Sequence, residues 1–142
     1  MLGPLRVTTG RELFMGRILG IAHFAFHEGR AEKFLQLSVE CLRLTRERDR
    51  GTLRYEVYVN EERTRAVVVE EYEDEAALLE HGEHIGASLT EAILATGEVH
   101  GEIVGELSPE MCRRLRGGPV TAFLPAHTLP KSQSDEVQPE AH

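Results

Sequence analysis

The 142-residue sequence contains no tryptophan, and aromatic residues make up only 6% of it. Its two cysteines, Cys41 and Cys112, are too few for a disulfide-stapled secreted domain. We interpret them as inert thiols in a reducing cytoplasm. Long apolar runs are missing as well: Ile18–Phe26 is among the longest, whereas a membrane-spanning helix needs about 20 apolar residues. The sequence therefore predicts a cytoplasmic protein without a membrane-spanning segment.

Positive charge is scarce. The chain has 16 Lys and Arg against 24 Asp and Glu, which gives a formal net charge of −8. Proteins that bind nucleic acid or an anionic membrane surface usually present an excess of positive charge to it. The charge balance argues against both kinds of partner.

The length predicts one folded domain between two irregular ends, since domains most often contain about 100–150 residues. Residues 1–17 contain scattered glycines and charges without a sustained period, and they predict an N-terminal arm. Residues 131–142 (KSQSDEVQPEAH) are almost entirely polar and predict a disordered tail. The folded domain is therefore expected to cover residues 18–130.

The first half of this domain predicts three strands and one long helix. Ile18–Phe26 is mostly apolar, which favours a strand buried on both faces. Apolar residues recur at helical spacing over residues 30–46, which predicts an amphipathic helix. Thr52–Asn60 alternates between apolar and polar residues, and Thr64–Tyr72 is rich in β-branched residues. These two segments predict an antiparallel hairpin.

The second half predicts a second helix, from Glu75 to Ala95, with Asp74 as its N-cap. Gly82 and Gly86 interrupt this helix, so we expect it to be broken or kinked. Glu98–Glu106 then predicts a strand with two different faces. One face is apolar (Val99, Ile103, Leu107) and the other is polar (Glu98, His100, Glu102, Glu106).

Two short elements close the domain. Ser108-Pro109-Glu110 is typical of a helix start, and Pro119–Leu124 predicts a short last strand. The order β-α-β-β-α-β describes a ferredoxin-like split β-α-β antiparallel sheet, an α+β fold, here with an extra C-terminal helix and strand. Helices cover only one face of such a sheet. Because the strands are apolar on both faces, we expect a homodimer that packs sheet on sheet.

Three sequence features occur in an order that is typical of one family. Gly29 precedes the long helix that contains Phe34, the segment 51–55 (GTLRY) opens the second strand, and Glu70-x-Tyr72-x-Asp74-x-x-Ala77-x-x-x-His81 leads into the second helix. In these features residues 18–96, and more weakly 97–129, resemble the antibiotic biosynthesis monooxygenase family of dimeric α+β barrel proteins. Glu70, Tyr72 and His81 are the motif residues with chemically useful side chains.

The resemblance implies an activity but does not single out one. Family members include cofactor-independent oxygenases of polycyclic aromatic polyketides, quinol oxygenases and haem-degrading enzymes. The haem-degrading branch uses a tryptophan, an asparagine on the first strand and an axial histidine. This chain has no tryptophan, places His81 where that residue would fall, and has no asparagine on its first strand. Haem degradation is therefore disfavoured, and we expect no cofactor.

The resulting hypothesis is a monooxygenase-like enzyme that acts on a small aromatic, polyketide or quinol compound. His81, helped by Tyr72 and His23, would deprotonate a phenolic substrate near neutral pH. The side chains expected to contact the substrate are Tyr55, Phe24, Phe34 and His84. The alternative is a non-catalytic ligand-binding or accessory domain, in which His81 is simply hydrogen-bonded into the sheet and the strand tyrosines serve packing.

The same histidines are also candidate ligands for a metal ion. His81 and His84 lie three residues apart on a helix and could meet His23 or His100 around an ion. The surrounding sequence has no metal-binding spacing such as HExxH. The sequence therefore predicts no metal.

Overall fold

Residues 16–129, the part of the chain that the computed structural model describes, contain every predicted helix and strand. The elements are β1 (Ile18–Phe26), α1 (Ala31–Arg48), β2 (Thr52–Val59), β3 (Arg65–Tyr72), α2 (Glu75–Leu94), β4 (Gly97–Gly105), α3 (Pro109–Leu115) and β5 (Val120–Phe123). The tail predicted for residues 131–142 lies outside the described residues, as does the predicted N-terminal arm except for Gly16 and Arg17. None of the described helices is long and apolar enough to span a bilayer.

The five strands form one sheet in the order β2-β3-β1-β4-β5. Strands β1 to β4 pair antiparallel, which is the predicted ferredoxin-like split β-α-β arrangement of an α+β fold. The chain then crosses through α3, so that β5 pairs parallel to β4, with Gly101 opposite Val120. The sheet is therefore mixed, a feature that the sequence pattern did not specify.

The two faces of the sheet differ sharply. Because alternate residues of a strand point to opposite sides, one side of β1 carries Ile18 and Phe24 and the other carries Ile21 and His23. Both clusters of buried side chains lie on the first side, under the helices, which we call the helix face. The opposite side is the open face, where His23 is 38% exposed. In the single described chain β1 is therefore buried on its helix face alone, and burial of its open face stays a prediction that depends on the expected dimer.

Aromatic packing fixes α1 on the helix face. Phe34 is 1% exposed, and its ring centroid lies 4.7 Å from that of Phe24 and 5.0 Å from that of Phe26. A phenylalanine in such a site typically contributes about 3–5 kcal/mol to stability. This contact anchors the helix whose C-terminal end leads to the candidate site.

Helix α2 is capped and kinked as predicted. The Asp74 side chain accepts a hydrogen bond from the Ala77 N–H at 2.9 Å, which satisfies one of the free donors of the first turn. The helix bends at Gly86, which has φ 83° and ψ 160°, a conformation that glycine adopts without steric cost. The half before the bend carries His81 and His84.

Candidate functional site

Asp49, just beyond the end of α1, holds two histidines of α2 side by side. Its side chain is 3% exposed, with Oδ2 2.7 Å from Nδ1 of His81 and Oδ1 2.6 Å from Nδ1 of His84. The Thr52 hydroxyl also donates to Oδ2, at 2.6 Å. Burial acts to raise the pKa of Asp49, but the hydrogen bonds from His84, Thr52 and His81 outweigh it and hold the pKa below its ordinary value. Asp49 is therefore an ionised carboxylate at neutral pH.

The bond to Asp49 sets the tautomer of His81. In the neutral imidazole Nδ1 carries the proton that is donated to the carboxylate, so the lone pair lies on Nε2. The ring is 8% exposed and lies between two tyrosines, with centroid distances of 5.8 Å to Tyr55 and 5.4 Å to Tyr72. A histidine oriented in this way by a buried carboxylate has the geometry of a general base.

A cavity of about 260 Å³ lies between the helix face of the sheet and helices α1 and α2. Its wall is mainly apolar, with Phe24 and Phe34 among the lining residues. Polar groups enter it from Tyr55, Glu70 and His81. The phenylalanines line this space rather than fill it. An apolar cavity with a few polar groups is the usual form of a small-molecule site.

A smaller cavity of about 130 Å³ adjoins the first and shares Glu70 with it. Tyr72 lines this second space, and its hydroxyl donates a hydrogen bond to the Glu70 carboxylate. Burial, followed by the charge of Glu70, raises the pKa of Tyr72. The pKa of Tyr55 is also raised, first by burial and then by Cys41 and Glu70. Both phenols therefore stay protonated at neutral pH and act as hydrogen-bond donors, not as bases.

The structure brings together most of the residues that the sequence singled out, but not all of them. Tyr55, Phe24, Phe34 and His81 line the larger cavity, and Tyr72 reaches the adjoining one. His84 is bound to Asp49 and lines neither of these two cavities. Its described contact is therefore with Asp49, which it helps to hold in place beside His81.

His23 is the clearest departure from the predicted site. It lies on the open face of the sheet, beside His100 and Glu102, whereas His81 packs on the helix face. Within residues 16–129, no group of potential metal ligands joins either His81 or His84 to His23 or His100. His23 therefore lies outside the candidate site.

Two site residues were not assigned a role from sequence. Asp49 lies in the charged segment 46–50, which by itself indicates only the end of a helix. Glu70 was noted in the family motif, and a further signal was present: on the helix face of β3 it follows Ala66 and Val68 and precedes Tyr72, all of them buried. A lone acid in such a row of buried residues indicates a carboxylate that faces a cavity.

The Cys41 thiol lies on the same cavity wall, and burial raises its pKa to about 11. A thiol with such a pKa is not a nucleophile at neutral pH. Cys41 and Cys112 are both free cysteines in the described chain, and the interpretation of Cys112 as inert stays a prediction.

Comparison with known proteins places this site in a family context. The family model described as antibiotic biosynthesis monooxygenase matches residues 17–86, a stretch that contains Asp49, Glu70 and His81. No curated protein matches the sequence.

Solved structures share the fold. MupZ from Pseudomonas fluorescens is 21% identical, with a TM-score of 0.63 over 81% of this chain and 94% of its own. An antibiotic biosynthesis monooxygenase is 27% identical, with a TM-score of 0.52 over 61% of this chain and 92% of its own. SnoaB from Streptomyces nogalater, a cofactor-independent oxygenase, is 14% identical, with a TM-score of 0.52 over 61% of this chain and 89% of its own. At their low identities, MupZ and SnoaB show a common fold alone.

Proposed function

We propose that this chain, whose residues 17–86 match the antibiotic biosynthesis monooxygenase family model, is a cofactor-independent monooxygenase acting on a small aromatic phenol or quinol. One observation carries the proposal: His81 lines an apolar cavity while its Nδ1 is bound to the buried carboxylate of Asp49. Nε2 is then the nitrogen available to a substrate in that cavity.

The first step is deprotonation. His81 Nε2 takes a proton from the substrate, and Asp49 stabilises the resulting imidazolium through Nδ1–H. Glu70 accepts a hydrogen bond from a second substrate hydroxyl and so orients the ring. Because the cavity wall is mainly apolar, the anion loses the hydration that would stabilise it in water.

The electron-rich anion then reacts with dioxygen, which is the co-substrate. For an anthrone-type substrate R₂CH₂, the anion transfers one electron to dioxygen, and the two radicals combine to a peroxide anion. The peroxide takes a proton from the His81 imidazolium to give R₂CH–OOH. Loss of the remaining C–H proton and cleavage of the O–O bond release water and leave the ketone. The balance is R₂CH₂ + O₂ → R₂C=O + H₂O.

The cavity limits the substrate. Sites for drug-sized ligands have volumes of roughly 300–1,000 Å³, so a cavity of about 260 Å³ favours a small fused-ring compound over a large polyketide. The carboxylate of Glu70 disfavours a negatively charged substituent beside it. We therefore expect a neutral substrate.

The test is oxygen uptake with a panel of anthrones and hydroquinones, each measured against a protein-free blank at the same pH. We expect uptake above the blank with at least one neutral member, and less with the matched compound that carries a carboxylate. With ¹⁸O₂ and the active anthrone, one labelled oxygen should appear in the ketone and one in water. No uptake on any member, together with no compound retained on purification, would overturn the proposal in favour of the non-catalytic ligand-binding domain.

We also propose that a second copy of the chain covers the open face. Ile21 and Val69 are paired at the centre of this face, and Val104 is 40% exposed near its edge. Light scattering at micromolar concentration should give twice the 15.9 kDa mass of one chain. Val69→Glu should lower the mass towards one chain, whereas Val39→Glu, at a 66% exposed position of α1, should not. A single-chain mass for the unaltered protein would contradict the dimer.

A further inference from the structure

The open face carries a second polar cluster, on the side of the sheet opposite His81. His23 of β1 lies directly opposite His100 of β4 in the antiparallel register. Glu102 follows two residues later on β4 and therefore points to the same face. Cross-strand and diagonal neighbours of this kind lie close enough for their side chains to interact.

We propose that His23, His100 and Glu102 bind a zinc ion. Nε2 of His23 lies 3.0 Å from Oε1 of Glu102, and the two imidazole rings are stacked with centroids 4.6 Å apart. One ligand atom from each residue can be chosen so that all three lie within 4.8 Å of one another. Within residues 16–129 this is the one group of three or more histidine, cysteine or acidic side chains that meets so closely.

The spacing needs only a small adjustment. Zinc binds nitrogen and oxygen at about 2.0–2.2 Å, which places tetrahedral ligand atoms about 3.4 Å apart. The pair formed by His23 and Glu102 is already at 3.0 Å. His100 is exposed in the single described chain, and a rotation of its ring away from the stacked position on His23 would bring a ring nitrogen towards the ion.

The donor set favours zinc over harder cations. Two imidazoles and one carboxylate suit zinc, whereas magnesium and calcium prefer sites made of oxygen ligands alone. Three protein ligands leave the fourth position of a tetrahedral ion to water or to a group of the second copy that is proposed to cover this face. The cluster lies on the opposite face from His81 and Asp49, so zinc binding here does not depend on the proposed oxygenase activity.

The test is calorimetric titration of the chelator-treated protein with zinc chloride. We expect one zinc per chain. His100→Gln and Glu102→Gln should each weaken binding by at least about tenfold, since each removes a direct ligand. His27→Gln, which alters an exposed histidine just beyond β1, is the matched control and should leave the affinity unchanged. Far-UV circular dichroism checks that each variant is folded.

Three results would overturn the proposal. One is the absence of any zinc binding at micromolar to submillimolar zinc. Another is binding of full affinity in both His100→Gln and Glu102→Gln. The third is loss of binding in His84→Gln alone, because that result would assign the metal to the histidines around Asp49 instead.

Discussion

Replacing His81 with glutamine should slow oxygen uptake by about 10²–10⁴-fold, the range in which a positioned general base usually contributes. Glutamine preserves much of the bulk in the cavity and can still donate a hydrogen bond to Asp49, but it has no basic nitrogen to take the substrate proton. The loss should therefore appear in kcat and leave KM nearly unchanged. Initial rates with the most active compound of the panel measure both quantities.

His84→Gln provides the matched control for this experiment. His84 makes the same type of bond to Asp49 as His81 does, yet it lines neither of the two cavities at the site. Its replacement should cost less than about tenfold, since only the orientation of Asp49 is affected. Equal losses in the two variants, or full activity in His81→Gln, would contradict the role of His81 as the base. Glu70 would then be the remaining carboxylate in contact with the cavity.

Asp49→Ala should lower the free energy of unfolding by about 1–3 kcal/mol, the usual cost of leaving buried hydrogen-bond donors without their acceptor. The substitution leaves Nδ1 of His81, Nδ1 of His84 and the Thr52 hydroxyl without their acceptor. Glu47→Ala is the control, because Glu47 is 53% exposed and pairs with Arg43 on the surface of α1. Such a pair contributes at most about 1 kcal/mol. Urea unfolding at neutral pH compares the two variants.

The same variant predicts a pH dependence. The folded-state pKa of Asp49 is depressed, since its hydrogen bonds outweigh the opposing effect of burial. A depressed carboxyl pKa gives stability that is fully present above the unfolded value, about 3.9, and is lost as the pH falls through the folded value. The stability difference between the unaltered protein and Asp49→Ala should therefore narrow below about pH 4. A difference that stays constant down to the onset of acid unfolding would contradict the assignment.

The fold could be predicted from the sequence because the patterns that indicate its helices and strands are local. Alternation in β2 and β4, helical spacing in α1 and the caps at Asp74 and Ser108 depend on residues only a few positions apart. Chain order then restricts the topology, since a hairpin between two helices leaves few ways to build the sheet. The parallel partner of β5 depends instead on the path of the chain after α3, which no local pattern encodes.

The candidate site could be predicted less completely from the sequence, for two physical reasons. Asp49 and His81 are 32 positions apart, so their contact depends on how α1 and α2 pack. The side of the sheet on which His23 lies could not be predicted, because β1 is apolar at nearly every position and its two sides do not differ in polarity. The polar and apolar faces of β4 differ clearly, and His100 and Glu102 accordingly lie on the side that their pattern predicts.

The residue at position 20 affects both the volume of the smaller cavity and the stability of strand β1. Gly20 lines the smaller cavity, and a Cβ built there would meet only the Cβ of Glu70, at an ordinary 4.0 Å. Gly101 differs, because its Cβ would lie 2.6 Å from the carbonyl oxygen of Ile21. Glycine inside a strand costs roughly 0.5–1 kcal/mol relative to alanine. Glycine at position 20 therefore leaves the smaller cavity wider and makes strand β1 less stable. A larger residue there would stabilise the strand and reduce the size of the ligand that the cavity admits.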